Sequence, residues 1–239
     1  MYGMILAGLT VDSHYYSLGF AVEFCSGGDL DDALYKSKAP TRLRRVTADG
    51  KTHFDHKRAI GLMLDVARGM AYLHDHAPPI VHRDLKPANV LLADLGRHAK
   101  VTDFGLATTK PQRESVCGTG RYLPPEALRV LARPELKKRG IQHKPGDVYS
   151  FALMFNEVFS GRRPWAEVPQ FLMQNLLLHQ VPSATLRRRP KLENCTSDPL
   201  LKTLVQDCWA HEPSFRPTFD DIRRRLTIIK YNNKLVWVG

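Results

Sequence analysis

The stretch His82-Arg83-Asp84-Leu85-Lys86-Pro87-Ala88-Asn89 gathers a carboxylate, an ammonium and a carboxamide within six positions, and Asp103-Phe104-Gly105 follows Asn89 at a distance of fourteen. Short apolar runs, Ile80-Val81 and Val90-Leu91-Leu92, flank the polar loop and read as strands that make its side chains converge. Phosphoryl transfer requires a carboxylate to orient the attacking hydroxyl, a cation near the γ-phosphate, and oxygen ligands for magnesium, which keeps an octahedral oxygen shell. Asp84, Lys86, and the pair Asn89 and Asp103 supply these groups in that order.

The elements that must hold such a loop are legible on both sides of it. Between Asp55 and His76 the apolar residues Ile60, Leu64, Ala67, Met70 or Ala71, and Leu73 recur at three- and four-residue steps, which predicts an amphipathic helix with Asp55 as its N-cap. Pro78-Pro79 end it. Past Pro145 the spacing of Val148, Phe151, Ala152, Phe155 and Val158 predicts a helix buried nearly all round, and Leu200, Leu204, Val205 and Cys208-Trp209 continue an apolar helical pattern. Phe20 to Phe24 reads as a strand that turns at Cys25-Ser26-Gly27-Gly28 into a helix from about Asp29, and Ala39 to Thr52 reads as an exposed loop.

At 239 residues and 43% hydrophobic content the chain can bury a full core, and no repeat or low-complexity linker argues for a second independent domain. Thirty-five Lys and Arg against 24 Asp and Glu give a net charge of +11, which favours anionic partners. Arg187-Arg188-Arg189 and Arg223-Arg224-Arg225 are not interleaved with an aromatic platform, so no specific nucleic-acid partner is indicated. Cys25, Cys117, Cys195 and Cys208 show neither zinc-ligand spacing nor a disulfide framework, which suits a reducing compartment. The apolar opening Met1 to Val11 is stopped by Asp12 at about half the length of a membrane span, and no other stretch approaches one. An intracellular, cytoplasmic protein without membrane insertion is expected. The sequence does not specify an oligomeric state.

The loop from His82 to Asn89, with Asp103-Phe104-Gly105 after it, resembles the catalytic and magnesium loops of the eukaryotic protein kinases. The resemblance extends along nearly the whole chain. Gly118 to Glu126 looks like the end of an activation segment, with Pro124-Pro125-Glu126 in place of the usual A-P-E. It implies that Asp147 braces the catalytic loop backbone, that Glu126 pairs with Arg216, and that Thr119 contacts the catalytic loop. Thr108, Thr109 and Ser115 become candidates for regulatory phosphorylation that Arg83 would read. Val22-Glu23-Phe24-Cys25 resembles the hinge that pairs with adenine, with Val22 as gatekeeper, Glu23 and Cys25 offering backbone groups, Asp29 near the ribose and Leu91 as the pocket floor. ATP and Mg2+ are the implied ligands, and proteins the implied substrates. Lys86-Pro87 resembles serine/threonine kinases, whereas the hinge wording, Asp147 to Phe151, Cys208-Trp209 and Arg216-Pro217 resemble the tyrosine-kinase-like group.

The implied fold is α+β and protein-kinase-like: residues 1–24 hold the last two strands of the small lobe and the start of the hinge, 25–230 a complete and mainly helical C-lobe, and 231–239 a tail. The first 35 residues contain no Lys or Arg and no glycine-rich phosphate loop occurs, so the family's strand lysine and nucleotide roof have no counterpart in this sequence. A piece of a longer active kinase is the expectation, since Asp84, Lys86, Asn89 and Asp103 are all retained. The alternative is a non-catalytic kinase-like scaffold or binding module.

Overall fold

A computed structural model of the chain describes residues 23–36, 44–46, 52–104, 107, 118–135, 143–192 and 198–235, with only the backbone of 44–46, 52–54, 143 and 233–235. The strand expected at Tyr2 to Leu6, the proposed gatekeeper Val22 and the phosphorylation candidates Thr108, Thr109 and Ser115 lie outside the described residues. Of the strand expected at Phe20 to Phe24, only Glu23 and Phe24 are described, and they are not in a strand.

The core forms around α4 (His143–Ser160), whose residues Val148, Tyr149, Phe151, Ala152, Leu153, Met154, Phe155, Val158 and Phe159 are all buried. A helix that is apolar on every face is stable in water only when other elements surround it. Here α2 (His56–Asp75) and α6 (Pro199–Cys208) pack against it, and α7 (Phe219–Leu235) lies along α2. Phe151 meets Phe219 of α7 edge-on at 5.5 Å, and within α4 Phe155 stacks on Phe159 at 4.7 Å, so aromatic contacts add to the area buried in the core. Asp55 caps α2 as expected, its carboxylate accepting the Arg58 N–H. The short α1 (Leu30–Tyr35) is capped in the same way by Asp29 and buries Leu30, Ala33 and Leu34.

Among the described residues four short strands form two antiparallel pairs. β3 (Val90–Ala93) pairs with β4 (His98–Val101), Leu91 facing Lys100. The segment expected as an exposed loop between Ala39 and Thr52 instead contributes β1 (Arg44–Val46), paired with β2 (Thr52–Phe54) in a hairpin. Its sequence carries Asp49-Gly50, a hairpin-turn dipeptide, between short β-branched or aromatic runs, and strand pairing satisfies backbone groups that a loop would leave to water. Ile80-Val81 supplies a single bridging residue and no strand. Leu200, expected on the buried face of α6, is half exposed while Leu201 is buried. The last helix runs five positions past 230, where the tail was expected to start.

A smaller apolar cluster, Leu123, Ala127, Leu128, Trp165, Met173, Leu176 and Val181, joins α3 (Pro125–Ala132) to α5 (Gln170–Asn175) and the wider helical turn that continues it to Gln180. Arg216 ties this part to the end of α6. Its guanidinium donates to both Glu126 oxygens, at 2.7 and 2.8 Å, and also to the carbonyls of Pro145, Ala210 and His211. The Arg216 side chain is fully buried, so every donor it carries into the interior must find an acceptor. Replacing Arg216 by Ala should therefore lower stability by about 3–5 kcal/mol, since Glu126 is left unpaired, and urea unfolding of the variant beside the wild type measures this.

Candidate active site

Two backbone segments form the floor of the site. The Gly27 N–H donates to Leu92 O (2.9 Å) and the Leu92 N–H donates to Gly28 O (2.8 Å), which lays the Cys25–Gly28 turn across β3. The approach is so close that a Cβ at Gly27 would stand 2.5 Å from Leu92 O, and only glycine fits there. Next to this contact Asp29 bridges to Leu91. Glu23 is tied to Lys100 of β4 at 2.5 Å. One oxygen of Asp29 is used in capping α1, since Oδ1 accepts the Asp32 N–H at 2.7 Å.

The polar loop is hung on α4 by Asp147. This buried carboxylate accepts the backbone N–H groups of His82 (2.9 Å, Oδ2) and Arg83 (2.8 Å, Oδ1), and His74 Nε2 lies 2.8 Å from Oδ2. Arg83 has a left-handed backbone, φ 72°, a conformation costly for a side-chain-bearing residue and kept only where the surroundings over-determine it. Two N–H donors onto one carboxylate do so. The His82 ring is itself fixed, with Nε2 2.9 Å from Thr102 O.

Asp84 then carries four contacts on two oxygens. Oδ1 accepts the Thr119 N–H at 2.8 Å and the Thr119 hydroxyl at 2.9 Å; Oδ2 accepts Lys86 Nζ at 2.6 Å and Asn89 Nδ2 at 3.2 Å. Lys86 Nζ also donates to Thr119 Oγ1 at 2.7 Å. Gly118 permits this arrangement: it sits at φ 113°, and a Cβ there would be 2.6 Å from Arg83 O. The carboxylate is nine-tenths buried yet opens to the surface through Lys86, which is the setting for a group that must orient a reactant without being solvated away.

Asn89 and Asp103 are brought together through the backbone, because the Thr102 N–H donates to Asn89 O at 3.0 Å and Asp103 is the next residue. Asn89 Nδ2 is spent on Asp84 O (2.8 Å) and Asp84 Oδ2, which turns the amide oxygen away from that carboxylate. Asp103 is exposed at φ 63°. An amide oxygen and a carboxylate are hard donors of the kind magnesium selects, and among the described residues no group of three or more His, Cys, Asp or Glu is placed to hold a metal ion.

One polar group of the core has no counterpart in the sequence reading. Glu157, fully buried in the apolar run of α4, accepts the Tyr35 hydroxyl at 2.7 Å and the Tyr122 hydroxyl at 2.6 Å. It thereby joins α1, the segment after Thr119 and α4. A lone carboxylate inside Phe151 to Phe159 is the only signal the sequence holds for it. Burial pushes its carboxyl up to about 7, against the two tyrosine hydrogen bonds and the Arg163 guanidinium, which act in the opposite direction.

These features define a protein kinase catalytic core, and the chain belongs to that family. The family model described as protein tyrosine and serine/threonine kinase matches residues 4–226. Among curated relatives, the chain is 35% identical over 211 residues to serine/threonine-protein kinase CTR1 of Arabidopsis thaliana, covering 86% of this chain and 22% of that protein. It is 37% identical over 222 residues to serine/threonine-protein kinase 12 of Arabidopsis thaliana (88% and 41%), and 33% identical over 214 to receptor-interacting serine/threonine-protein kinase 4 of Mus musculus (86% and 24%). The chain thus spans less than half the length of each of these relatives. Among the described residues no helix is long and apolar enough to cross a membrane.

The raised Glu157 carboxyl has a definite consequence for stability. Folded Glu157 holds its proton up to about pH 7, while in the unfolded chain it is lost near 4.5, so its ionisation disfavours the fold across that interval. Relative to Glu157→Gln, wild-type stability should fall by on the order of 1–3 kcal/mol as pH rises through this window and then level off, as denaturant midpoints of the two proteins measured in parallel would show.

Proposed function

We propose that this chain is the catalytic portion of a protein kinase that moves the γ-phosphoryl group of ATP to serine or threonine hydroxyls of protein substrates. The observation that carries the reading is the Asp84 carboxylate, fixed on both oxygens by Thr119, Lys86 and Asn89 in a loop that is itself held by Asp147. In the reaction the substrate hydroxyl oxygen bonds to the γ-phosphorus, the bond to the β–γ bridging oxygen breaks, ADP leaves, and the hydroxyl proton passes to Asp84. The transition state is loose, so the protein's part is mostly alignment and charge compensation. Asp84 aligns the hydroxyl, and Lys86, 2.6 Å from it, places a cation where the transferred group passes.

Magnesium, when bound, compensates charge on the β- and γ-phosphate oxygens. Asn89 through its amide oxygen and Asp103 through its carboxylate are the residues that would hold it. The adenine would lie between the Glu23 and Cys25 backbone and Leu91, with the ribose toward the second oxygen of Asp29; Val22 keeps the gatekeeper role the resemblance gives it. Residues 25–230, extended by the end of α7, form the lobe that carries these groups. Serine/threonine specificity is supported by Lys86-Pro87 in the loop and by the three relatives described above, each named a serine/threonine-protein kinase. The Cys25 and Cys208 thiols are free, which accords with a reducing intracellular setting.

The test is phosphotransfer by the full-length protein to mixed Ser, Thr and Tyr peptides. Label on Ser or Thr is expected, and phosphotyrosine alone would overturn the specificity. In the same assay Asp84→Asn should keep ATP affinity and lose at least about 10²-fold in turnover, the range for a positioned acid or base. Asp103→Asn should instead weaken magnesium-dependent ATP use, so identical effects of the two substitutions would contradict their separate roles.

A further inference from the structure

We propose that the basin between the start of α2, the β3–β4 turn and the end of α7 binds a small anion that carries several phosphate groups. Lys57, Arg58, Arg97 and Lys230 line it together with Gly61 and Leu95. Its volume of about 450 Å³ suits a compact polyphosphorylated molecule. Four cations and one aliphatic side chain leave little for an apolar ligand to bury against, and no aromatic face for a base to stack on. Lys230 Nζ lies close over Gly61, 3.7 Å from where a Cβ there would stand, so the ammonium sits above the backbone of α2.

The basin is built rather than incidental. Asp94, Leu95 and Gly96 all have left-handed backbones, at φ 49°, 55° and 77°. Two consecutive non-glycine residues in that region cost free energy and require an external hold. Arg58 supplies it, Nε donating to Gly96 O at 3.0 Å and Nη2 to Leu95 O at 2.7 Å. The strained turn leads directly into Arg97, so the geometry that costs stability brings a further cation to the same wall.

Cations elsewhere on the described surface are mostly used internally. Arg223, Arg224 and Arg225 pair with Asp220, Asp221 and Asp207, Arg163 with Asp31, Lys36 with Asp32 and Lys100 with Glu23. Among the described residues no carboxylate lies within ion-pair distance of Lys57, Arg97 or Lys230. Asp55, which caps α2, and Asp94, mostly exposed and 4.0 Å from His98, do not line the basin. Like charges gathered at Lys57, Arg97 and Lys230 repel, and a multivalent anion relieves that repulsion. None of these residues takes part in the proposed phosphotransfer.

The shared chemistry admits a soluble inositol polyphosphate or a phosphoinositide headgroup. The whole protein would be titrated calorimetrically with inositol hexakisphosphate near physiological ionic strength, and in parallel with phosphatidylcholine vesicles with and without a bisphosphorylated phosphatidylinositol. The variant Lys57→Glu/Arg97→Glu/Lys230→Glu is compared with Arg133→Glu/Arg188→Glu/Lys202→Glu, which changes net charge equally at exposed positions outside the basin. Saturable binding is expected, weakened at least about 10-fold by the basin variant, since each facing cation contributes roughly a factor of five. The control should lose less than about 2-fold by long-range field alone. Basin-dependent binding to the soluble probe assigns a free ligand; basin-dependent binding to vesicles alone assigns a lipid surface. Equal losses in the two variants, or saturable binding to neither probe, would overturn the proposal. Arg58 is left intact because it holds the turn. If the triple variant fails to unfold cooperatively, the neutral pair Arg97→Gln/Lys230→Gln replaces it, with a partial loss supporting the site and unchanged affinity refuting it.

Discussion

The site depends first on one buried carboxylate. Asp147 lies in a helix closed to water on every side, and a charge there is tolerated only because His82, Arg83 and His74 satisfy it. The requirement runs in both directions. The carboxylate needs these partners to remain buried, and the left-handed Arg83 needs the carboxylate to remain in place. Asp84 follows in the chain with its direction already set, so the precision of the reactive group descends from the packing of α4 rather than from the loop. Glu126 and Arg216 act similarly at a second point, holding the start of α3 against the end of α6 and, through Pro145, against the start of α4.

How much of this was legible in the sequence follows from the physics of each part. The spacing of Asp84, Lys86, Asn89 and Asp103 is dictated by chemistry and stands out against any background pattern. Asp147 and the Glu126 to Arg216 pair were found through family resemblance, since nothing in local periodicity connects residues so far apart. The 44–54 hairpin was missed because strands of three residues carry too little alternation to outweigh the four basic residues and the proline between Ala39 and Thr52. Its Asp49-Gly50 was the one available cue. Glu157 was missed for the opposite reason: in a helix with no polar face, a single carboxylate looks like an interruption, and only the three-dimensional placement of Tyr35 and Tyr122 explains it. Leu200 was placed on the buried face in place of Leu201 because a one-residue phase error on a helix is about 100°, enough to move a side chain from core to solvent.

The charge of the chain also takes a different meaning once side chains are placed. The two arginine triplets invite a reading as a nucleic-acid surface. The second is largely spent on Asp207, Asp220 and Asp221, while Arg189 reaches the Trp209 carbonyl and lies over the Tyr149 ring. A count of +11 is thus a poor guide to where an anion would be drawn. The relevant quantity is the cation whose neighbours leave it uncompensated.

A helix enclosed on all faces has a further consequence for motion. The amides of α4 cannot meet water through local fraying of an exposed side, and their isotope exchange should require the opening of the whole core. The loop from His82 to Asn89, by contrast, is attached to that helix through side-chain oxygen atoms, not through a continuous ladder of backbone pairs. Opening of the loop therefore breaks side-chain contacts to α4 without breaking the backbone ladder of the helix that orients it.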